Sequence, residues 1–282
     1  MAREISAAHA GSVRLGDRTV HRLGLGANRV TDTDPARAVL RRAVELGVNF
    51  VDTSDVYQFT ASESTLGAVF EGRSSEVLVA TKGGIVRTPD GGSVDGSPEY
   101  LRQAVEGSLE RLRVDCLELY QLHRVDPRVP IEASVTALKE LQDAGRIRRI
   151  GLSNVSLEQL ERARRVAPIV SVQNRFNLLE RDQKPVLDYC EQHGIVFIPW
   201  IPLHRGNLGA AKTLSEVAAR YGATPHQMAL RWLLRLSPVV LPIPGTLSVA
   251  HLEENLAAAD IELADEDFLR LDASPEAASS AR

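Results

Sequence analysis

Short apolar, β-branched runs alternate along this chain with longer stretches whose apolar residues recur at helical spacing. The runs are HRLGLG (21–26), VNFVD (48–52), EVLVATK (76–82), CLELYQLH (116–123), IRRIGLS (147–153), IVSVQN (169–174), IVFIPW (195–200) and VVLPIP (239–244). Of the helical patterns between them, ARAVLRRAVELG (36–47) stops on Gly47 and IEASVTALKELQDAG (131–145) on Gly145, a residue that tolerates the left-handed turn ending a helix. SPEYLRQAVEGSLERL (97–112) offers Ser97 as a cap, Pro98 in the first turn and Glu99 near the positive end of the dipole. SLEQLERARRV (156–166) starts the same way from Ser156. Eight runs alternating with helices predict a parallel sheet with helical crossovers, and eight strands close a (β/α)8 TIM barrel. An open doubly wound sheet is the runner-up. It is weakened because GLGAN (24–28) lacks the third glycine of GxGxxG and opens no helix at once. GSVRLGDRTV (11–20) alternates about Gly16-Asp17 and predicts an N-terminal β-hairpin capping the bottom of the barrel. The expected layout is one barrel domain over residues 1–282, with a flexible tail from about 274.

Composition narrows the function. The 282 residues are 44% hydrophobic and carry a formal charge of −4, so no basic excess favours nucleic acid. No apolar run reaches the length of a membrane span, and MAREISAAHAG lacks the apolar core of a secretion signal. Cys116 and Cys190 form no CxxC or metal spacing, and the histidines form no HxxxH pair. The expectation is a cytoplasmic chain without metal, nucleic acid or membrane partner.

A barrel of this kind builds its active site at the C-terminal ends of its strands. There the sequence places Asp52, Lys82, His123, Ser153-Asn154 and Gln173-Asn174, with Tyr57 in the loop after the second run. Taken singly, each has an ordinary reading: a rim lysine, a structural histidine, a packing tyrosine, an aspartate capping its own loop. Together, Asp52, Tyr57, Lys82 and His123 make a chemically complete set from adjacent strand ends. An ammonium beside a phenol pulls its pKa down from about 10. Asp52 would keep a buried Lys82 charged, and His123 would orient a carbonyl oxygen that Tyr57 protonates.

The segments FVDTSDVY (50–57), SESTLG (62–67), ATKGG (80–84), YQLHRVDP (120–127), IGLSN (150–154), SVQNRFN (171–177), PWIPL (199–203) and IPGTLSVAHLEEN (243–255) occur in order along nearly the whole chain. They resemble the successive signatures of the aldo-keto reductase superfamily. IGLSNVS and GATPHQMALRWLL are similar to the bacterial short-loop branch that includes pyridoxal reductases.

The resemblance implies an NADP(H)-dependent oxidoreductase of the EC 1.1.1 type, reducing a small aldehyde or ketone reversibly with Tyr57 as general acid/base. NAD(H) is the alternative cofactor. The catalytic tetrad falls on Asp52, Tyr57, Lys82 and His123. The nicotinamide carboxamide falls on Ser153, Asn154 and Gln173, the stacking ring on Trp200, the pyrophosphate near Pro202, Leu203 and Gly206, and the adenosine end on Gly245, Thr246, Glu254 and Asn255; beside them Ser248 offers a hydroxyl at a helix start and His251 a charge when protonated, to hold a phosphate there. Three departures stand out. No Lys or Arg follows Pro244 to hold a 2′-phosphate, the loop HRGNLGAAKT (204–213) is short, and Gln58 replaces the family's glycine after the tyrosine. The competing readings are a catalytically weak NADP(H)-binding regulator, a reductase of a biosynthetic intermediate such as a keto-sugar, and a double-bond reductase, against which His123 argues. The resemblance implies a monomer or weak homo-oligomer.

Overall fold

The computed structural model describes residues 4–88, 91–206, 208 and 211–274. Most of the expected tail, 275–282, and parts of the loops 83–97 and 204–213 lie outside the described residues.

The chain opens on the expected hairpin, β1 (Ser12–Leu15) and β2 (Arg18–His21), antiparallel in register with Leu15 opposite Arg18. There follow β3 (Leu25–Gly26), α1 (Asp34–Glu45), β4 (Phe50–Asp52), α2 (Ala61–Phe70), β5 (Leu78–Gly83), β6 (Ile85–Thr88), β7 (Gly91–Val94), α3 (Pro98–Leu112), β8 (Leu119–Leu122) and α4 (Ile131–Asp143). The second half runs β9 (Ile150–Ser153), α5 (Leu157–Arg164), β10 (Ile169–Arg175), α6 (Lys184–Gln192), β11 (Val196–Trp200), α7 (Lys212–Arg220), α8 (Pro225–Leu236), α9 (Val249–Ala257) and α10 (Asp265–Asp272). Several helices start as the sequence predicts. Ser97 caps α3 and Ser156 forms a capping box with Gln159; α8 adds a capping box of Thr224 with Gln227 that was not among the predicted starts.

Seven strands form a parallel curled sheet in the order β11-β10-β9-β8-β5-β4-β3. The eighth run, 239–244, lies between the two edges without a continuous ladder. It bridges Phe197 to Val240 in parallel, and its backbone accepts from Phe197 at Val239 (2.9 Å), from Gly24 at Pro242 (3.0 Å) and from Gly26 at Pro244 (3.3 Å). Toward β11 it also donates, from Leu241 N to the Phe197 carbonyl (2.9 Å); Pro242 and Pro244 carry no N–H, so toward β3 it accepts but cannot donate, and that side of the strand's pairing stays incomplete. The architecture is the expected (β/α)8 barrel, its last stave irregular for that reason. The stretch 83–97, which lies outside the predicted strand and helix runs until Ser97, contains an added hairpin, β6–β7, in register Ile85 opposite Val94.

Strand alternation sorts the side chains into an interior and a shell. Phe50, Leu78, Ala80, Leu119, Val196, Ile198, Leu241 and Ile243 form an inner cluster, while Val51, Tyr120, Leu122, Leu152 and Val172 belong to the cluster that includes residues of the surrounding helices. Leu15 and Val20 of the hairpin join the inner cluster with no solvent exposure, so the hairpin plugs the barrel floor. Arg149 ties the plug down, donating to Asp17 Oδ1 (2.8 Å) and Glu118 Oε2 (2.9 Å). Among the described residues no helix is long and apolar enough to cross a membrane.

Candidate active site

The inward positions change from apolar to polar as the strands rise. Two residues beyond Phe50 stands Asp52; two beyond Ala80, Lys82; two beyond Leu119, Gln121, and then His123; two beyond Ser171, Gln173. The barrel's alternation thus brings the polar residues together above a greasy floor. Of these, Asp52, His123 and Gln173 border a cleft of about 800 Å³ that opens at the C-terminal ends of the strands.

Lys82 is fully buried beneath the cleft. Its Nζ donates to Asp52 Oδ2 (2.8 Å), to the Thr53 carbonyl (2.7 Å) and to Tyr57 Oη (3.3 Å). Those three acceptors use all three ammonium protons. Burial opposes the charge of Lys82, but the carboxylate and phenol beside it hold its pKa above the ordinary lysine value. Asp52 is held from its other oxygen by Gln173 Nε2 (2.7 Å) and, at 3.4 Å, by Gln121 Nε2. Neither amide contact with Asp52 is expected from the sequence.

Tyr57 differs from expectation. Lys82 does pull its pKa down, but burial is the larger effect and Asp52 also opposes ionisation, so the hydroxyl stands above the ordinary tyrosine value. Tyr57 is therefore a phenol that keeps its proton at neutral pH. Its ring meets that of His123 edge-on, with centroids 5.8 Å apart. Burial, followed by the charges of Lys82 and Arg124, pushes His123 well below the usual histidine range, so its imidazole is neutral. His123 Nδ1 lies 3.1 Å from Ser54 Oγ, leaving Nε2 for a ligand in the cleft.

After Tyr57 the backbone turns left-handed at three successive non-glycine residues, with φ 51° at Gln58, 54° at Phe59 and 73° at Thr60. Such a conformation costs about 1–3 kcal/mol per residue and favours glycine, which gives a backbone reason for glycine at position 58. Gln58 offsets part of that cost by donating to the Asn28 carbonyl at 2.9 Å.

Ser153, Asn154, Gln173 and Trp200 line one end of the cleft. Asn154, at φ 57°, donates to the His123 carbonyl and to Ser153 Oγ (both 3.0 Å) and accepts from Trp200 Nε1 (3.1 Å). Pro202, Leu203 and Gly206 border the middle, and Gly245, Thr246, His251, Glu254 and Asn255 the far end. Ser248 does not face the cleft; its hydroxyl caps α9, accepting from His251 N. Glu254 accepts from Thr224 Oγ1 (2.7 Å), which anchors it against α8.

One expectation at the far end needs correction. The segment after Pro244 has no cation of its own, but Arg29 reaches it from the loop after β3 and donates to the Gly245 carbonyl at 2.9 Å. The two residues are 216 positions apart, so only the closed barrel brings them together. Asn28, Ile85, Arg124 and His226 also line the cleft and were not singled out by the sequence.

A family model described as the aldo/keto reductase family matches residues 21–276. The chain belongs to the aldo/keto reductase family. This aldo/keto reductase is 40% identical to the pyridoxine 4-dehydrogenase of Escherichia coli over 274 residues, 92% of this chain and 96% of that one. It is 43% identical to an oxidoreductase of Schizosaccharomyces pombe over 279 residues, 95% of this chain and 91% of its relative. Among solved structures, the glycerol dehydrogenase of Gluconobacter oxydans superposes with a TM-score of 0.86 at 28% identity, covering 93% of this chain and 94% of that one. An aldo/keto reductase from Klebsiella pneumoniae, solved with NADP and acetate, superposes at 0.82 and 28% identity, covering 93% and 94%.

Proposed function

We propose that this oxidoreductase binds NADP(H) in the cleft and reduces an aldehyde or ketone to an alcohol, reversibly, with Tyr57 as the proton donor and acceptor. The observation that carries the reading is the contact of Lys82 Nζ with both Asp52 and Tyr57 at the base of a cleft that His123 also faces.

The donor set suits a dinucleotide. Amide side chains, a hydroxyl and an indole gather at one end, and the start of α9 with Thr246, Asn255 and Arg29 at the other. A helix N-terminus and a guanidinium both favour an anionic group there. In the reading proposed here, Ser153, Asn154 and Gln173 hold the carboxamide and Trp200 stacks on its ring. Pro202, Leu203 and Gly206 border the pyrophosphate. Gly245, Thr246, His251, Glu254 and Asn255 take the adenosine end, and Ser248 contributes by starting α9. Arg29 favours the phosphorylated cofactor over NAD(H). Bound NADP(H) supplies or accepts the hydride.

The chain's own residues handle the proton. Tyr57 holds one on Oη and releases it to the carbonyl oxygen. Lys82 stabilises the phenolate that results, and Asp52, held by Gln173, keeps Lys82 charged and in place. Neutral His123 offers an N–H to the same oxygen and orients it. The name of the Escherichia coli relative points to a pyridoxal-type aldehyde as the first substrate to try.

The reading is tested with Tyr57→Phe. The variant keeps its fold and its affinity for NADPH, and kcat with an aryl aldehyde falls by about 10²–10⁴. A variant that keeps more than about half of the wild-type rate removes Tyr57 from the mechanism.

A further inference from the structure

Behind His123, on the side away from the cleft, lie two polar groups in a chain that the proposed reaction does not use. Ser54 Oγ stands 3.1 Å from His123 Nδ1 and 3.0 Å from Asp55 Oδ1. Ser54 has no solvent exposure, and Asp55 and His123 are 7% and 8% exposed. Ser54 has a single hydrogen and three acceptors in reach, Asp55 and His123 and, farther off at 3.4 Å, the Lys82 carbonyl, so it can donate to Asp55 or to His123 but not to both. Its choice decides which nitrogen of the neutral imidazole carries the proton.

We propose that Asp55, acting through Ser54, sets the tautomer of His123 and so decides whether Nε2 meets the substrate oxygen as a donor or as an acceptor. Asp55 and Ser54 are positioning residues in this proposal, which rests on the carbonyl reductase reading for its consequence.

With Asp55 protonated, its O–H donates to Ser54 Oγ, the Ser54 O–H donates to His123 Nδ1, and Nε2–H faces the cleft. That form can bind a carbonyl oxygen. When Asp55 ionises, its proton passes to Ser54 Oγ, the Ser54 proton passes to His123 Nδ1, and Nε2 gives up its proton to the cleft. One proton leaves the protein. Ser54 now donates to the Asp55 carboxylate, Nδ1–H donates to Ser54, and Nε2 presents a lone pair. That form repels a carbonyl oxygen but can accept from an alcohol hydroxyl.

The surroundings of Asp55 place this change near neutrality. Burial comes first and, with the carboxylate of Glu63 on α2, pushes Asp55 up to about 7 against the lowering pull of Ser54 and of Arg111 on α3. From α3, Tyr100 Oη lies 3.5 Å from Asp55 Oδ2, but its one hydrogen has a nearer acceptor in the Ile85 carbonyl (3.1 Å); Oδ1 is the oxygen that faces Ser54. Tyr57 and, from β8, Tyr120 also feel the Asp55 charge, and His123 faces Lys82 and Arg124.

The test reads His123 directly. In the full-length protein labelled with ¹⁵N-histidine, without cofactor or substrate, the His123 signal is identified by its loss in His123→Gln. It should show the Nε2–H tautomer below about 7 and the Nδ1–H tautomer above, following Asp55. Ser54→Ala should hold one tautomer throughout. With NADPH and an aryl aldehyde, wild-type kcat/KM for reduction should fall about 10²-fold above the break, the scale of losing one oxyanion donor; Ser54→Ala should lose that break. A wild-type imidazole that keeps one tautomer on both sides of the transition overturns the proposal, and so does a Ser54→Ala profile with its break intact. Because the ¹⁵N signal needs no turnover, a protein that switches tautomer but reduces no carbonyl would instead sink the functional reading.

Discussion

Lys82 illustrates how much a single buried charge depends on its neighbours. Its Nζ has three protein acceptors, and removing it leaves the Asp52 carboxyl in the interior with only amide partners. Lys82→Met is therefore expected to destabilise the fold by about 3–5 kcal/mol, the usual cost of breaking a buried pair from one side. It also removes the main effect that lowers the pKa of Tyr57. In the proposed reaction alcohol oxidation needs the phenolate as base, so its rising limb should move to higher pH in the variant. Oxidation rates across alkaline pH check this, and an unmoved limb would show that Lys82 does not tune Tyr57. At this scale the grouping of Asp52, Tyr57, Lys82 and His123 was legible because strand-end position and residue chemistry are local properties. The sign of the Tyr57 shift was not, since it depends on how deeply the ring is buried. Neither was the Gln173–Asp52 bond, which spans 121 positions.

Among the elements, the N-terminal hairpin does work that its exposed-looking sequence hides. Of its eight strand residues, Leu15 and Val20 point into the barrel and are fully buried against the apolar interior, while most of the others stay in contact with solvent. Leu15→Ala should cost about 2–5 kcal/mol by leaving a cavity in a floor that cannot collapse. Urea unfolding measures the loss, and NADPH affinity should stay near the wild-type value because the floor and the cleft are at opposite ends. A loss within about 0.5 kcal/mol, the range of ordinary surface changes, would mean the hairpin is an ornament. The hairpin, the strand runs and the capped helices were legible from periodicity and end signals. The β6–β7 hairpin was not: Arg87 and the glycines after Asp90 break the alternation that marks a strand.

At the scale of the whole molecule, the barrel has one irregular joint. The segment 239–244 meets its neighbours through a handful of backbone bonds and runs straight into Gly245 and Thr246 at the far end of the cleft. The sequence showed the apolar run but not that its two prolines leave it weakly paired, since that follows only from which strands flank it. A joint held this lightly opens more readily than the rest of the ring. Whatever occupies the cleft and grips 245–246 is then also a clasp across the joint, and part of its binding free energy appears as suppressed opening. Gly24 and Gly26 donate across that joint to Pro242 and Pro244. Their amide hydrogens should exchange with solvent faster than those of β8 and β9 in the free protein, and saturating NADPH should slow them selectively. Equal exchange with and without NADPH would mean that the joint is already shut. The expected result would make the ligand the eighth stave's missing hoop, and the barrel most rigid only while it is loaded.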